Sequence, residues 1–367
     1  GTGANPVVTG SGTLWRISEN FNPSGNIRVQ DIIFNRTDSV NSDSFSFNGR
    51  RNLLLRTYIA SNGTGRIMAR GSGGTSYDDT IFYDCDFTVT NVNGDYLIYD
   101  SSASNSGTRA SIIGCTLHNL GGNINTVATI RSNHKKAQSI LYSRIDRYGL
   151  DGNPILKIHL VNGLHIRGNY FIAAGNSGVY TDACGGTCGP GTAVNVLFEQ
   201  NYLDISSSID GGATGLGLAK ERNDNIIGTH RIVNNIALGG TKFIEAGIGG
   251  INNVFASHNS WYTTKATITG QGRAFAMDKW QSNPAFGNLK VVNNAVVVVP
   301  NALSTRMVYN SNYYGKLENT QISHNIANIG SNAKFATVEG INYTAPVDWS
   351  AALMKGSQLN MNTDPLF

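Results

Sequence analysis

Short apolar runs alternate with polar positions along most of the chain, and the runs recur in pairs. The stretch 153–171, NPILKIHLVNGLHIRGNYF, shows the unit. Two strand-like runs are joined by a Val-Asn-Gly turn, and the second ends in Gly-Asn, an aromatic and Phe. Every second side chain of such a run faces one side, so each run predicts a short β-strand. The outline returns in AVNVLFEQNYL, IIGTHRIVNNI, INNVFASHNSW, FGNLKVVNNAV and LENTQISHNIA. An asparagine follows each run: Asn169, Asn201, Asn234, Asn259, Asn293 and Asn325, spaced by 32, 33, 25, 34 and 32 residues. Cys85, Cys115 and Ser143 occupy the same place upstream. A period of this size marks a repeat architecture.

A second family of runs precedes the asparagine-bearing ones: RIMARG, YLIYDS, ATIRSN, ILKIHL, GVYTDA, GLGLAKE, KFIEAG, AFAMDK and RMVYNS. Two or three short strands per repeat, with no helix-period pattern, predict an all-β, single-domain parallel β-helix of 10–12 coils across residues 1–367. Coils then stack about 4.8 Å apart, and an asparagine column links its amides from coil to coil. Residues 1–20 read as an N-terminal cap and 331–367, where the period fades, as a C-terminal cap with a short helix at 348–356.

Composition agrees with a turn-rich β protein: 43 of 367 residues are glycine and only 14% are charged. The net charge of +4 suits an acidic partner but is too weak to single out nucleic acid. No apolar run reaches membrane-spanning length. The sequence starts at Gly1 without a Met, which suggests a processed leader. With the four cysteines, this predicts a secreted, periplasmic or cell-surface monomer. Cys85 and Cys115 would stack inside and could bridge. Cys184 and Cys188, in CGGTC, could close one loop, and no second pair at zinc spacing follows.

The second family of runs carries most of the ionisable groups. Its outward positions read Arg70, Asp100, Arg131, Lys157, His159, Tyr180, Asp182, the Lys220–Arg222 end, Glu245 and Asp278. A solvated face of surface ion pairs, each contributing under about 1 kcal/mol, is the plain reading. In a chain with so few charges, their concentration on one strand face favours a cleft for an anionic polymer. His118, His165, His230, His258 and His324 fall on or beside the asparagine-bearing runs and read as turn or surface residues. No nucleophile elbow, zinc-protease, phosphate-loop or dinucleotide motif is present. A cation site is conceivable where Asp182 and Glu245 converge with loop carbonyls.

The order IRSNHKKAQS (130–139) then LKIHLVNGLHIRGNYF (156–171) resembles the right-handed parallel β-helix polysaccharide lyases of the chondroitinase B and alginate lyase type, polysaccharide lyase family six. The resemblance covers about 40 residues plus the coil pattern. It implies cleavage of an acidic, uronic-acid polysaccharide, alginate-like, by β-elimination. The family's base lysine falls near Lys135 or Lys136, its arginine on Lys157 and its histidine near His159. The paired calcium-binding glutamates have no match around Thr129 and Arg131, so calcium is a candidate cofactor only and the metal ligands are unknown. A looser similarity, Val179 to Ala183, is to mannuronan C5-epimerases.

β-Elimination needs a fixed positive charge on the carboxylate, a base for the C5 proton and an acid for the leaving oxygen. Arg131 suits the first, Lys157 or His159 the second, and Tyr180 or Lys220 the third. Lys135, Lys136, Asp182, Lys220, Arg222, Glu245, Asp278 and Arg70 would line the substrate. Two alternatives stand: an inverting glycoside hydrolase using Asp182 and Glu245, and a non-catalytic glycan-binding β-helix.

Overall fold

Two consecutive residues close every coil. The first adopts a left-handed backbone and the second turns its side chain inward. In chain order the left-handed residues are Asp31, Arg56, Asp84, Gly114, Tyr142 and Gly168, then Gln200, Asn234, His258, Asn293 and His324, with φ between 46° and 66°. For non-glycine residues this conformation costs about 1 kcal/mol or more each. The offset is visible in the backbone: the amides of nine of these eleven residues still donate to a carbonyl of the next coil, as Asp84 does to Ile113 and Tyr142 to Arg167, both at 2.9 Å. Gly168 must be glycine for a second reason, since a Cβ there would lie 2.6 Å from the Tyr142 ring.

The computed structural model describes residues 4–11, 14–17, 27–38, 45–47, 52–62, 68–70, 80–90, 97–100, 110–120, 130–132, 138–148, 154–159, 163–173, 177–182, 195–207, 214–219, 228–247, 253–263, 272–278, 288–298, 306–310, 320–328, 334–338 and 341–343. All 36 elements among them are strands. They form two compact units, Gly1–Gly175 and Asn176–Phe367. Each unit is a right-handed parallel β-helix built from three sheets, A, B and C. The chain passes from A to B to C, then through the two-residue turn back to A. The first unit contributes seven strands to A and six each to B and C. The second contributes five to A, seven to B and five to C.

The repeating run-and-asparagine pattern is sheet C plus its turn, and the second family of runs is sheet B. Sheet A, the strand just after the turn, is the third face. Its strands include Asp86–Val89, Thr116–Asn119, Arg144–Arg147 and Ser260–Thr263. Strands also enter both segments read as caps. Val7–Gly10 pairs parallel with Ile33–Arg36 as an ordinary rung. Lys334–Val338 pairs parallel with Arg306–Asn310, and Ile341–Tyr343 folds back antiparallel on it. The helix expected at 348–356 lies outside the described residues.

Phe34, Phe87, Phe171, Phe198 and Phe243 are completely buried and fill the coils. Beside them runs the inward turn column Thr57, Cys85, Cys115, Ser143 and Asn169 in the first unit, and Asn201, Asn235, Asn259, Asn294 and Asn325 in the second, all buried. Two assignments change here. The inward members of the Asn-Asn pairs are Asn235 and Asn294; Asn234 and Asn293 are the exposed left-handed residues before them. Asparagine tolerates that backbone better than most residues, so the pair serves both positions. In the second unit the carboxamides of Asn235, Asn259, Asn294 and Asn325 each accept from the previous coil, for example from Asn235 N to Asn259 Oδ1 at 3.0 Å and from Asn235 Nδ2 to the same oxygen at 2.9 Å. In the first unit a thiol accepts from Cys85 N at 3.4 Å and a hydroxyl from Cys115 N at 3.0 Å. Cys85 and Cys115 are stacked but unbridged. Cys184 and Cys188 lie outside the described residues.

Candidate functional site

Register on sheet B decides which predicted residues share a face. In the first unit Ala69, Tyr99, Arg131 and Lys157 align across successive rungs. Arg70, Asp100, Ser132 and Ile158 form the adjacent column. Lys157 is half-buried between Leu156 and Ile158, which are fully buried, so it faces outward. Arg131 therefore pairs with Lys157 in the backbone ladder, one rung apart. Arg70 and Asp100 are out of step with them, in register with an inward residue, so the single outward line expected from the sequence breaks. A one-residue shift in strand pairing moves a position to the other face, and local alternation cannot detect it. His159 ends the same strand, two residues after Lys157. Lys135 and Lys136 lie outside the described residues.

In the second unit Tyr180 is aligned with Gly217 and Glu245, and Asp182 with Ala219. Tyr180 is half-buried, and its ring would lie 3.3 Å from a Cβ at Gly217, so the glycine makes room for it. Asp182 and Glu245 are thus two rungs apart and also two residues apart along the strand, a backbone separation of about 12 Å from strand geometry. The Glu245 carboxylate is taken by the Lys242 ammonium and by the Thr214 hydroxyl at 3.3 Å. It does not fit a calcium site, since a lysine already supplies the positive charge. Among the described residues no three His, Cys, Asp or Glu side chains gather around a common point. Asp278 aligns with Gly247. Lys220 and Arg222 lie outside the described residues.

Sequence reasoning missed a basic column. Lys242, Arg273, Arg306 and Lys334 align on four consecutive rungs of sheet B in the second unit. The signal was present, since KFIEAG, RAFAMD, RMVYN and KFATV each open on a cation. Arg273 is buried and Arg306 half-buried.

The histidines also separate. His258 and His324 are exposed turn residues, and His165 is half-buried on sheet C. His230 is an exception to the surface reading: it points into the core with 3% exposure, and its Nδ1 has no hydrogen-bond partner. Burial pushes its pKa down to about 4, because a charged ring there would lose its water. His118 lies on sheet A, away from the predicted face. No family model matches the chain, and no curated protein matches it.

Proposed function

We propose that the protein is a polysaccharide lyase that cleaves an acidic, alginate-like polysaccharide by β-elimination. The observation that carries this reading is the register pairing of Arg131 with Lys157. Two cationic positions about 4.8 Å apart suit one sugar carboxylate. Neutralising that carboxylate makes the neighbouring C5 proton acidic enough to remove. With Arg131 and Lys157 holding the carboxylate, His159, two residues along the same strand, accepts the proton. The electron pair moves into the sugar, the C4–O bond breaks, and the leaving oxygen takes a proton from solvent.

The hydrolase reading is weaker, because Glu245 is engaged by Lys242 and Thr214. The deciding assay offers alginate, pectate, chondroitin and hyaluronan to the protein and follows ultraviolet absorbance of an unsaturated product alongside reducing ends. Both rise together for a lyase. Arg131→Ala and Lys157→Ala then lower the rate by at least about 100-fold. Reducing ends without absorbance indicate a hydrolase, and binding without new ends indicates a glycan-binding β-helix.

A further inference from the structure

The outer face of sheet A in the first unit holds a built cluster of polar side chains away from the predicted cleft. Two columns run side by side. Tyr58, Asp86, Thr116, Arg144 and Tyr170 align in one, and Thr88, His118 and Asp146 in the other. Asp146 is buried, with 1% of its side chain exposed, and is held by two cation-forming groups. His118 Nδ1 lies 2.8 Å from its Oδ2, and Arg144 Nε donates to the same oxygen at 3.1 Å. Arg144 also hydrogen-bonds Tyr148 and lies 5.6 Å from the centre of the Tyr170 ring.

The tautomer follows from this geometry. A carboxylate facing Nδ1 keeps the proton on that nitrogen, so Nε2 of neutral His118 is a bare acceptor. Among the described residues Nε2 makes no hydrogen bond, and 27% of the ring's side chain is exposed. Thr88 does not serve as a nucleophile for the ring, since its hydroxyl turns to Asp86 Oδ1 at 3.4 Å. The proton that Nε2 accepts must therefore come from a ligand or from water. Asp86 is half-buried, and burial pushes its carboxyl above the ordinary value.

Arg144 commits its Nε to Asp146 while 49% of its side chain meets solvent, which leaves its outer edge for a second carboxylate. Exposed Tyr58 and Tyr170 stand at the two ends of the column, four rungs or about 19 Å apart. Their flat, amphipathic rings suit the faces of sugars.

We propose that this face is a second sugar site, taking a carboxylate-bearing sugar between Arg144 and His118, with His118 Nε2 as the proton acceptor and Asp146 as the positioning residue that sets its tautomer. The inference rests on the reading above for the class of sugar and for the elimination, while binding at the site is tested apart from both. In the reaction the C–H bond beside the carboxylate breaks and its proton passes to Nε2. The electron pair drives out the oxygen at the adjacent carbon, and that oxygen takes a proton from water.

The test labels the seven histidines at Cε1 and titrates the protein with a mannuronate trisaccharide and, separately, with a neutral glucose trisaccharide. His118→Gln assigns the His118 signal. That signal should shift saturably with the acidic sugar alone, keep the shift in Lys157→Ala and lose it in Arg144→Gln. No shift, an equal shift with the neutral sugar, or a shift that survives Arg144→Gln overturns the site. Asp146→Asn should move the His118 ring nitrogens toward the other tautomer; an unchanged nitrogen pattern overturns its positioning role. In the Arg131→Ala/Lys157→Ala double variant, which silences the first site, His118→Gln should lower the residual release of unsaturated product by at least about tenfold, and an unchanged residual rate overturns the proton-acceptor role. If the wild-type protein releases no unsaturated product from any uronate polymer, the lyase reading fails, and the titration still decides the site.

Discussion

Sheet A presents opposite chemistry on its outer face in the two units. In the first, Asp86, Thr88, Thr116, His118, Arg144 and Asp146 form a hydrogen-bonded polar surface. In the second, the same positions of the repeat carry Ile236, Leu238, Tyr262 and Val297 beside Asp204 and Ser260, and a shallow groove of about 350 Å³ runs past Ile236 and Trp261. The inward positions of both are alike in kind: Phe87, Leu117 and Ile145 on one side, Leu203, Ala237 and Trp261 on the other. A solenoid constrains what its coils enclose and the two residues that close them. Its outer columns are free to differ, and chemistry collects there.

That comparison implies that inward changes alter stability and outward changes alter binding. The largest expected effect is Asn259→Ala. It removes the acceptor for Asn235 N and Nδ2 and the donor to Ile232 O. Asn235 Nδ2 keeps Phe198 O and Val233 O, but stranding the Asn235 amide and the Ile232 carbonyl should cost about 4 kcal/mol in urea unfolding. Cys85→Ala, which removes only weak thiol contacts to Leu54 O and Tyr83 O, should cost clearly less. Equal losses would show that the asparagine column is no stronger than the thiol one.

Acid comes next. The folded protein keeps His230 neutral down to a pKa of about 4, whereas the unfolded chain protonates it near the ordinary 6.5. The unfolded state therefore binds more protons between those values, and stability falls as pH drops through that window, by about 3 kcal/mol from this residue. His230→Leu should flatten that part of the stability curve, and melts at pH 7 and 4.5 check it.

Asp146→Asn sharpens the outward half of the comparison. His118 and Arg144 are both partly exposed and regain water, so unfolding should shift by only about 1 kcal/mol, while uronate binding at His118 is lost. The smallest effect is expected at Ile236→Thr. This exposed residue of the apolar face should change stability by less than about 0.5 kcal/mol.

The sequence by itself determined the period, the strand type and the parallel β-helix. Those follow from alternation within short runs and from the recurrence of a turn residue, both of which are local. It also placed Cys85, Cys115 and Ser143 in the column with Asn169. Which asparagine of each Asn-Asn pair faces inward was decided only by the closing turn, where one residue must take a left-handed backbone. Arg131 was separated from Arg70 by strand register, a property of neighbouring coils rather than of either strand. His118 and Asp146 stand 28 residues apart, on the strand after the closing turn, which neither family of recurring runs marks. Only the stacking of coils brings such residues side by side, because the pitch of the solenoid turns a distance along the chain into one rung.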